Sequence, residues 1–136
     1  MEFKGLNDKE VEAILINDLS DIYNYLSDKI TTIFIDEANF MKGNIDVLID
    51  LSINKDLDIF IAGLNLTSEL KPFGIMPEIM AISDEIVLLH ASCNDCNRDA
   101  SYTYYNGSKD SDILVGNDNY IALCPKCLRK RLTLNK

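Results

Sequence analysis

The four cysteines of this 136-residue chain form two pairs with the same internal spacing. Cys93 and Cys96 make the first pair, Cys124 and Cys127 make the second, and 27 residues separate the two pairs. Two C-x-x-C pairs at this separation are typical of a four-thiolate zinc site, in which each pair forms a tight turn. With Zn–S bonds of about 2.3 Å, neighbouring sulfurs would lie about 3.7 Å apart. The zinc would be structural, because four thiolates leave no open coordination position for chemistry.

Paired cysteines have two other uses, as redox dithiols or as structural disulfides. A redox C-x-x-C normally follows a strand and opens a helix, and it is not normally doubled within one short segment. Disulfides are disfavoured in the reducing interior of a cell. The chain shows no signal-peptide pattern and no apolar run of transmembrane length. We therefore favour zinc, and we expect a cytoplasmic protein with no membrane partner.

The acidic pair Asp36-Glu37 is a second group that could do chemistry, because it directly follows the apolar residues 33–35. An apolar strand ending in Asp-Glu is typical of the Walker B segment of nucleotide-binding folds, where the Asp holds Mg²⁺ and the Glu can act as a base. Strands also end in acidic residues simply because the chain meets water there. The pair alone does not decide between these interpretations.

Residues 71–77 combine Phe73 with two prolines and a glycine. A loop of this composition suits the wall of a binding pocket. An ordinary connection between a strand and a helix explains it equally well.

The residues that would position these groups alternate between strand-like and helix-like patterns. Short apolar stretches at residues 11–16, 31–35, 58–63 and 85–90 are typical of strands, and those that do not alternate suggest strands buried on both faces. Helical spacing of apolar residues predicts one helix that starts near Leu19 and another that starts near Ile45, each between two predicted strands. Asn17 or Asp18 would cap the first helix. We predict an α/β fold, with a parallel sheet covered by helices.

Charge divides the chain near residue 91. Residues 1–90 carry 17 acidic and 6 basic side chains, whereas residues 91–136 carry 5 acidic and 7 basic ones together with all four cysteines. We predict an α/β body over residues 1–90 and a small zinc-binding module over residues 91–136. Predicted strands at 102–105 and 112–115 would support a long loop whose base the zinc ties together.

The net charge of −9 argues against a general nucleic-acid binder, which normally carries a basic surface. A basic cluster near the C-terminus could still serve a zinc-ribbon module that binds a protein or a nucleic acid. A solvated helix face explains the same cluster, and we prefer that interpretation. The cluster consists of Lys126, Arg129, Lys130 and Arg131.

Order and spacing of seven motifs resemble the cellular-type (type II) thymidine kinases, from about residue 5 to residue 128. The motifs are Asp36-Glu37-Ala38-Asn39-Phe40, Ala62-Gly63-Leu64-Asn65, Lys71-Pro72-Phe73-Gly74, Met80-Ala81-Ile82-Ser83-Asp84, Leu89-His90-Ala91-Ser92-Cys93, Ala100-Ser101-Tyr102-Thr103 and Val115-Gly116-Asn117 with Tyr120. The resemblance implies a P-loop-kinase-like parallel sheet and a zinc-tied "lasso" loop that folds over a nucleoside.

The family transfers the γ-phosphate of ATP to the 5′-hydroxyl of thymidine. The resemblance implies that Glu37 accepts the hydroxyl proton and that Asp36 helps to hold Mg²⁺. It implies that the remaining site residues enclose the nucleoside: Phe40, Leu64 and Phe73 around the ring, Tyr102, Thr103, Val115 and Gly116 at the base edge, and Tyr120 closing the lasso. The family usually forms tetramers, so a homo-oligomer is also implied.

One departure from the family outweighs the others, because the sequence lacks the P-loop that cradles the ATP phosphates. None of Gly5, Gly43, Gly63 and Gly74 precedes a Lys-Ser or Lys-Thr pair. Asn65-Leu66 also stands where the family usually has Asp-Gly.

Three hypotheses follow from this departure. The chain could be the C-terminal part of a thymidine kinase, with ATP and Mg²⁺ bound only when another chain supplies a P-loop. It could be an inactive homologue that binds thymidine or its nucleotides, or that regulates an active kinase. It could also be a zinc-ribbon interaction protein. The intact Asp36-Glu37 pair favours the first hypothesis.

Overall fold

The computed structural model describes residues 2–4, 10–107 and 119–134, with side chains from residue 12 onward. Internal contacts group the chain into two compact units. The first unit comprises Met1–Gly63 and Gly74–Ile82, and the second comprises Leu64–Phe73 and Ser83–Lys136. The division at residue 91 stays a prediction. Within the described ranges, no helix has the length and apolar character needed to cross a bilayer.

The first unit contains two small sheets. Strands β1 (Glu2–Lys4) and β2 (Glu10–Glu12) pair in antiparallel fashion. Strands β3 (Thr32–Ile35) and β4 (Asp58–Ile61) pair in parallel, with Phe34 opposite Phe60. The predicted parallel pairing is therefore confirmed for these two strands.

Four helical segments accompany the sheets of this unit. They are a 3-10 helix (Leu19–Tyr25), a 3-10 turn (Ala38–Phe40), helix α1 (Asp46–Ile49) continuing as a π-helical turn (Asp50–Asn54), and helix α2 (Met76–Ile82). The first of these begins at a capping box, as Asp18 accepts a hydrogen bond from the Ser20 backbone N–H and Asp21 accepts one from the Asp18 N–H. The cap at Asp18 was therefore predicted correctly.

One face of the parallel pair packs on the apolar core, and the opposite face does not. The inward side chains of β3 and β4 include Ile33, Ile35 and Ile59, which contact buried residues of the helices. On the outward face, Phe34 is 77% exposed and Phe60 is 57% exposed, and their rings stack with centroids 5.1 Å apart. The prediction that these strands are buried on both faces is wrong here, because the described helical residues cover only one face.

Two predicted strands do not join the parallel sheet. Residues 85–90 form no strand, and Val87 and Leu89 are 69% and 87% exposed. Of residues 11–16, only the first two belong to a strand, and that strand pairs with β1 in antiparallel fashion. Apolar composition creates a preference for extended backbone, but a strand also needs an available edge with which to pair.

The described residues of the second unit form two antiparallel pairs and one helix. Strand β5 (Ala91–Ser92) pairs with β6 (Asp99–Ala100), and β7 (Tyr102–Tyr105) pairs with β8 (Tyr120–Leu123). Helix α3 (Pro125–Leu134) follows β8. The predicted strand at 102–105 is confirmed, while the one predicted at 112–115 lies outside the described residues.

Each unit has its own apolar cluster. The core of the first unit includes Leu19, Leu48, Leu51 and Ile79. The core of the second unit combines three cysteines with Leu123 and Leu128. The small size of the second cluster means that burial alone gives that unit limited stability.

Two glycines allow the backbone to approach closely around the buried Asn39. A Cβ atom on Gly63 would lie 2.8 Å from the Met76 sulfur and 3.2 Å from the Asn39 backbone nitrogen. A Cβ atom on Gly74 would lie 2.5 Å from the Asn39 carbonyl oxygen, and Gly74 has a φ of +53°. The second position is therefore closed to a side chain by both space and backbone conformation.

We expect Gly74→Ala to lower the free energy of unfolding by about 2 kcal/mol or more, because positive φ is unfavourable for alanine and the Asn39 carbonyl cannot easily move away. Urea unfolding would measure the loss. Glu78→Ala, an exposed change in the helix that follows, should shift stability by less than about 0.5 kcal/mol. Equal stability of the Gly74→Ala protein and the parent would contradict the prediction.

Candidate functional site

Backbone turns bring the four cysteines together. Cys93 directly follows β5 and begins a turn in which its own N–H bonds to the Arg98 carbonyl at 2.7 Å and its carbonyl accepts the Asn97 N–H at 2.9 Å. Cys124 directly follows β8, and Cys127 lies in the first turn of α3. Each C-x-x-C pair therefore occupies a turn next to a strand, and the β8–α3 junction carries the second pair.

The four sulfur atoms lie within 4.8 Å of one another, and those of Cys96 and Cys124 are 3.7 Å apart. The thiols are not joined in disulfides. Tetrahedral zinc with bonds of about 2.3 Å requires sulfurs about this far apart. The geometry therefore fits a metal ion, and the four-sulfur donor set suits zinc.

Hydrogen bonds prepare some of these thiols to ionise. Burial opposes ionisation of Cys93, but backbone N–H donors, including that of Cys124 at 3.3 Å, more than offset it and lower the pKa of Cys93 to about 6. The Cys127 N–H, 3.5 Å from the Cys124 sulfur, lowers the pKa of Cys124.

The last thiol of the set behaves in the opposite way. Burial, followed by hydrogen bonding with the three neighbouring thiols, raises the pKa of Cys127 to about 12. Burial, the largest of these causes, disfavours a charged sulfur at this position and so keeps the proton in place. A bound divalent cation would remove that obstacle and allow all four thiolates to form.

Sequence reasoning overlooked the side chains around the first cysteine turn. Asp95, between Cys93 and Cys96, accepts two hydrogen bonds from Arg131 of α3, at 2.8 and 2.7 Å. This bidentate pair lowers the pKa of Asp95 to about 2. The spacing offered one signal, since Arg131 follows Cys127 by four residues and so lies on the same face of α3.

The acidic pair occupies the carboxyl end of β3. The Glu37 backbone N–H donates to the Asp36 carboxylate at 2.8 Å, and both side chains are exposed. The adjoining strand ends are fastened together, because Ala62 N–H donates to the Ile35 carbonyl and Ala38 N–H donates to the Ala62 carbonyl, at 2.8 and 3.0 Å. The backbone that carries the two carboxylates is therefore fixed to both parallel strands.

Glu37 itself has a left-handed backbone conformation, with φ of 53° and ψ of 38°. Such a conformation is unfavourable for a residue with a long side chain, and it is enriched at functional sites. It turns the chain sharply from β3 into the 3-10 turn that includes Phe40. Phe40 is 66% exposed.

The other predicted nucleoside-binding residues that the structure describes belong to the second unit. Leu64 and Phe73 stand at the two ends of a loop that is closed by the Phe73 N–H bond to the Asn65 carbonyl, at 3.0 Å. Tyr102 and Thr103 lie on β7, opposite Leu123 and Ala122 of β8. Val115 and Gly116 lie outside the described residues.

Tyr120 opens β8 and lies beside Tyr105, with ring centroids 5.1 Å apart. The Asn106 N–H donates to the Asn119 carbonyl at 2.6 Å, so the β7–β8 pair continues to the residues that flank the intervening segment. Tyr102, Thr103 and Tyr120 thus belong to one antiparallel pair, but Tyr102 and Tyr120 lie at its opposite ends.

We expect Cys124→Ser to release the bound metal and to loosen the described residues of the 97–123 stretch, because the buried cysteines carry much of this unit's core. Zinc content per chain and limited proteolysis would measure both effects. Ser92→Ala, which alters an exposed neighbour of Cys93, serves as the control and should keep one zinc per chain. Unchanged zinc content in the Cys124→Ser protein would refute the metal site.

Comparison with known proteins assigns the family. The family model described as "Thymidine kinase" matches residues 4–128. The chain is 32% identical to a thymidine kinase of Pseudothermotoga lettingae over 128 residues, which cover 93% of this chain and 69% of that protein. It is also 32% identical to a thymidine kinase of Mycoplasma mobile over 119 residues, covering 87% of this chain and 60% of the relative.

A thymidine kinase of Bacteroides fragilis is 37% identical over 106 residues, covering 76% of this chain and 53% of the relative. The chain thus spans between about half and about two thirds of the relatives it matches. The resemblance that the sequence motifs indicated is confirmed: this chain belongs to the thymidine kinase family.

Proposed function

We propose that this chain supplies the nucleoside-binding and proton-accepting part of a thymidine kinase. In this proposal, the cradle for the ATP phosphates comes from polypeptide outside these 136 residues. The observation that carries the proposal is the Asp36-Glu37 pair, fixed at the carboxyl end of β3 in a family member. Carboxyl ends of parallel strands are where α/β folds bind their ligands.

Glu37 is assigned the role of base, which accepts the proton from the 5′-hydroxyl of thymidine. Its exposed carboxylate follows a backbone turn that is fastened to both parallel strands. Asp36 would hold Mg²⁺, since its Oδ1 accepts the Glu37 N–H and no described residue donates a hydrogen bond to its Oδ2. A carboxylate oxygen is the type of ligand that Mg²⁺ prefers.

Enclosure of the base is assigned to the residues that the family resemblance implies for this role. Phe40, Leu64 and Phe73 supply apolar surface for a flat ring, and Tyr102, Thr103 and Tyr120 supply hydroxyl groups as well. Val115 and Gly116 complete the proposed set. The four cysteines would hold zinc in a structural role, which fixes the turns beside β5 and β8.

The residues present do not fit the phosphates of ATP, because the sequence contains no Gly-Lys-Ser/Thr turn. The outward face of β3 and β4 supports a contribution from further polypeptide. Parallel strands are ordinarily covered on both faces, yet here the stacked Phe34 and Phe60 are exposed. Between about a third and about a half of each matched relative lies outside the match. We assign the P-loop-bearing part of that remainder as the polypeptide that covers the outward face of β3 and β4.

A second candidate is an inactive homologue that binds thymidine or regulates an active kinase by joining its oligomer. The departure at Asn65-Leu66, where the family usually has Asp-Gly, favours it. The third candidate, a zinc-ribbon module that binds nucleic acid through its basic cluster, has less support. One member of that cluster, Arg131, is already engaged by Asp95.

Calorimetric titration of the zinc-loaded chain with thymidine tests the proposal, with cytidine as the control ligand. We expect saturable binding of thymidine and no binding of cytidine. Binding of thymidine without phosphorylation after a P-loop polypeptide is added would favour the inactive homologue. A folded, zinc-loaded chain that binds neither nucleoside in the presence of that polypeptide would refute the proposal.

We expect Glu37→Gln to lower thymidine phosphorylation by at least ~100-fold in the P-loop-complemented protein, because the amide cannot accept the hydroxyl proton. Thymidine affinity should change little, since glutamine preserves the shape of the side chain. Radiolabelled phosphate transfer and calorimetry would separate the two effects. Glu78→Gln, which removes an exposed carboxylate from α2, should retain full turnover.

The same assay without the P-loop polypeptide provides a further check. The 136-residue chain alone should transfer no phosphate from ATP to thymidine. Undiminished turnover of the Glu37→Gln protein would disprove the assigned base, and turnover by the chain alone would disprove the need for an outside phosphate cradle.

A further inference from the structure

Arg131 contacts three separate parts of the second unit. Its Nε and Nη2 donate to the two carboxylate oxygens of Asp95, in the turn between Cys93 and Cys96. Its Nη1 donates to the Asn106 side-chain oxygen at 3.3 Å. Its guanidinium carbon lies 5.5 Å from the centre of the Tyr104 ring. One side chain therefore joins α3 and the first cysteine turn to β7 and to the residue that follows it.

Asp95 and Tyr104, which Arg131 connects, belong to parts of the unit that have different roles in the proposed function. Asp95 belongs to the turn whose sulfurs would bind the metal. Tyr104 lies on β7, the strand that also presents the proposed base-edge residues Tyr102 and Thr103. Arg131 itself is a member of α3, which carries the metal ligand Cys127.

We propose that Arg131 is a positioning residue that transmits metal occupancy from the four-cysteine site to the nucleoside-presenting strand β7. This inference rests on the proposed function for the role of β7, but the mechanical connection does not depend on it. When the metal fixes the first cysteine turn, Asp95 holds the guanidinium in one orientation. The same guanidinium then fixes Tyr104 and Asn106.

The geometry requires arginine rather than any cation. A planar guanidinium can engage both carboxylate oxygens, the Asn106 amide and the Tyr104 ring face at the same time, whereas an ammonium group offers no such fork. The neighbouring Lys130 has the same charge and is exposed on the same helix. It is therefore a matched control for the loss of a positive charge.

Hydrogen exchange of the whole chain, with and without zinc, tests the connection without any nucleoside. In the parent protein, zinc removal should speed exchange in residues 102–106 by about tenfold or more, as local opening becomes easier. In Arg131→Gln, the zinc-loaded protein should already exchange at nearly the zinc-free rate. In Lys130→Gln, the effect of zinc should equal that in the parent.

Two further variants distinguish positioning from general loss of stability. Arg131→Lys should show nearly as weak a zinc effect on exchange as Arg131→Gln. Lysine keeps the positive charge but cannot engage both Asp95 oxygens in the way that a guanidinium does. Asp95→Asn should weaken the zinc effect while leaving α3 intact, and adding Arg131→Gln to it should cause no further loss. If Arg131→Gln fails to fold, Asp95→Asn carries the same test.

Thymidine titration of the same proteins connects the inference to function. Zinc should raise thymidine affinity in the parent and in Lys130→Gln, but not in Arg131→Gln. Full zinc-dependent protection of residues 102–106 in Arg131→Gln would overturn the inference. Absence of thymidine binding in the parent, with the exchange result as expected, would count against the proposed function and not against the connection.

Discussion

The burial of three cysteines in one small core with Leu123 and Leu128 is the constraint on which the second unit depends. Its apolar cluster is small, and half of the residues that form it are cysteines. Burial raises the pKa of Cys127 to about 12, whereas backbone N–H donors outweigh burial at Cys93 and lower its pKa to about 6. A divalent ion held by the four sulfurs would allow all of them to ionise, and its binding would then stabilise the folded unit. Tyr102 of β7 and Leu123 of β8 pack in this same core.

The first unit depends on a different constraint, which is the parallel pairing of β3 and β4. The backbone bonds of Ala62 to Ile35 and Ala38 extend this pairing beyond the strands and into the turn that carries Glu37. Gly63 and Gly74 allow Asn39 to sit close beside the same turn. The carboxylates are thus placed by backbone geometry, while the covering of the sheet remains incomplete on the side of Phe34 and Phe60.

Local patterns in the sequence predicted the cysteine cluster and the helix start at Asp18 more reliably than they predicted the sheet. The doubled C-x-x-C spacing was sufficient to predict the cysteine cluster, and Asp18 was sufficient to predict a helix start. Both signals depend on residues that are close together in the chain. Residues 85–90 show the limit of such reasoning. Their apolar pattern suits a strand, yet no described residue pairs with them, and pairing depends on which edges the rest of the fold leaves available.

Burial was misjudged for a related reason. A continuous apolar run such as 33–35 indicates a strand covered on both faces, but the run cannot reveal whether the covering polypeptide is present in the same structure. The Asp95–Arg131 pair was also missed, since its members are 36 residues apart and the sequence pattern of neither one points to the other. Long-range polar contacts of this kind become visible only when the fold brings the two residues together.

The left-handed backbone of Glu37 has an evolutionary consequence. Glycine or asparagine would adopt this conformation with less strain, so selection for folding alone favours their replacement of glutamate there. Folding stability alone therefore gives no reason for a glutamate at this position, whereas a use for its carboxylate would.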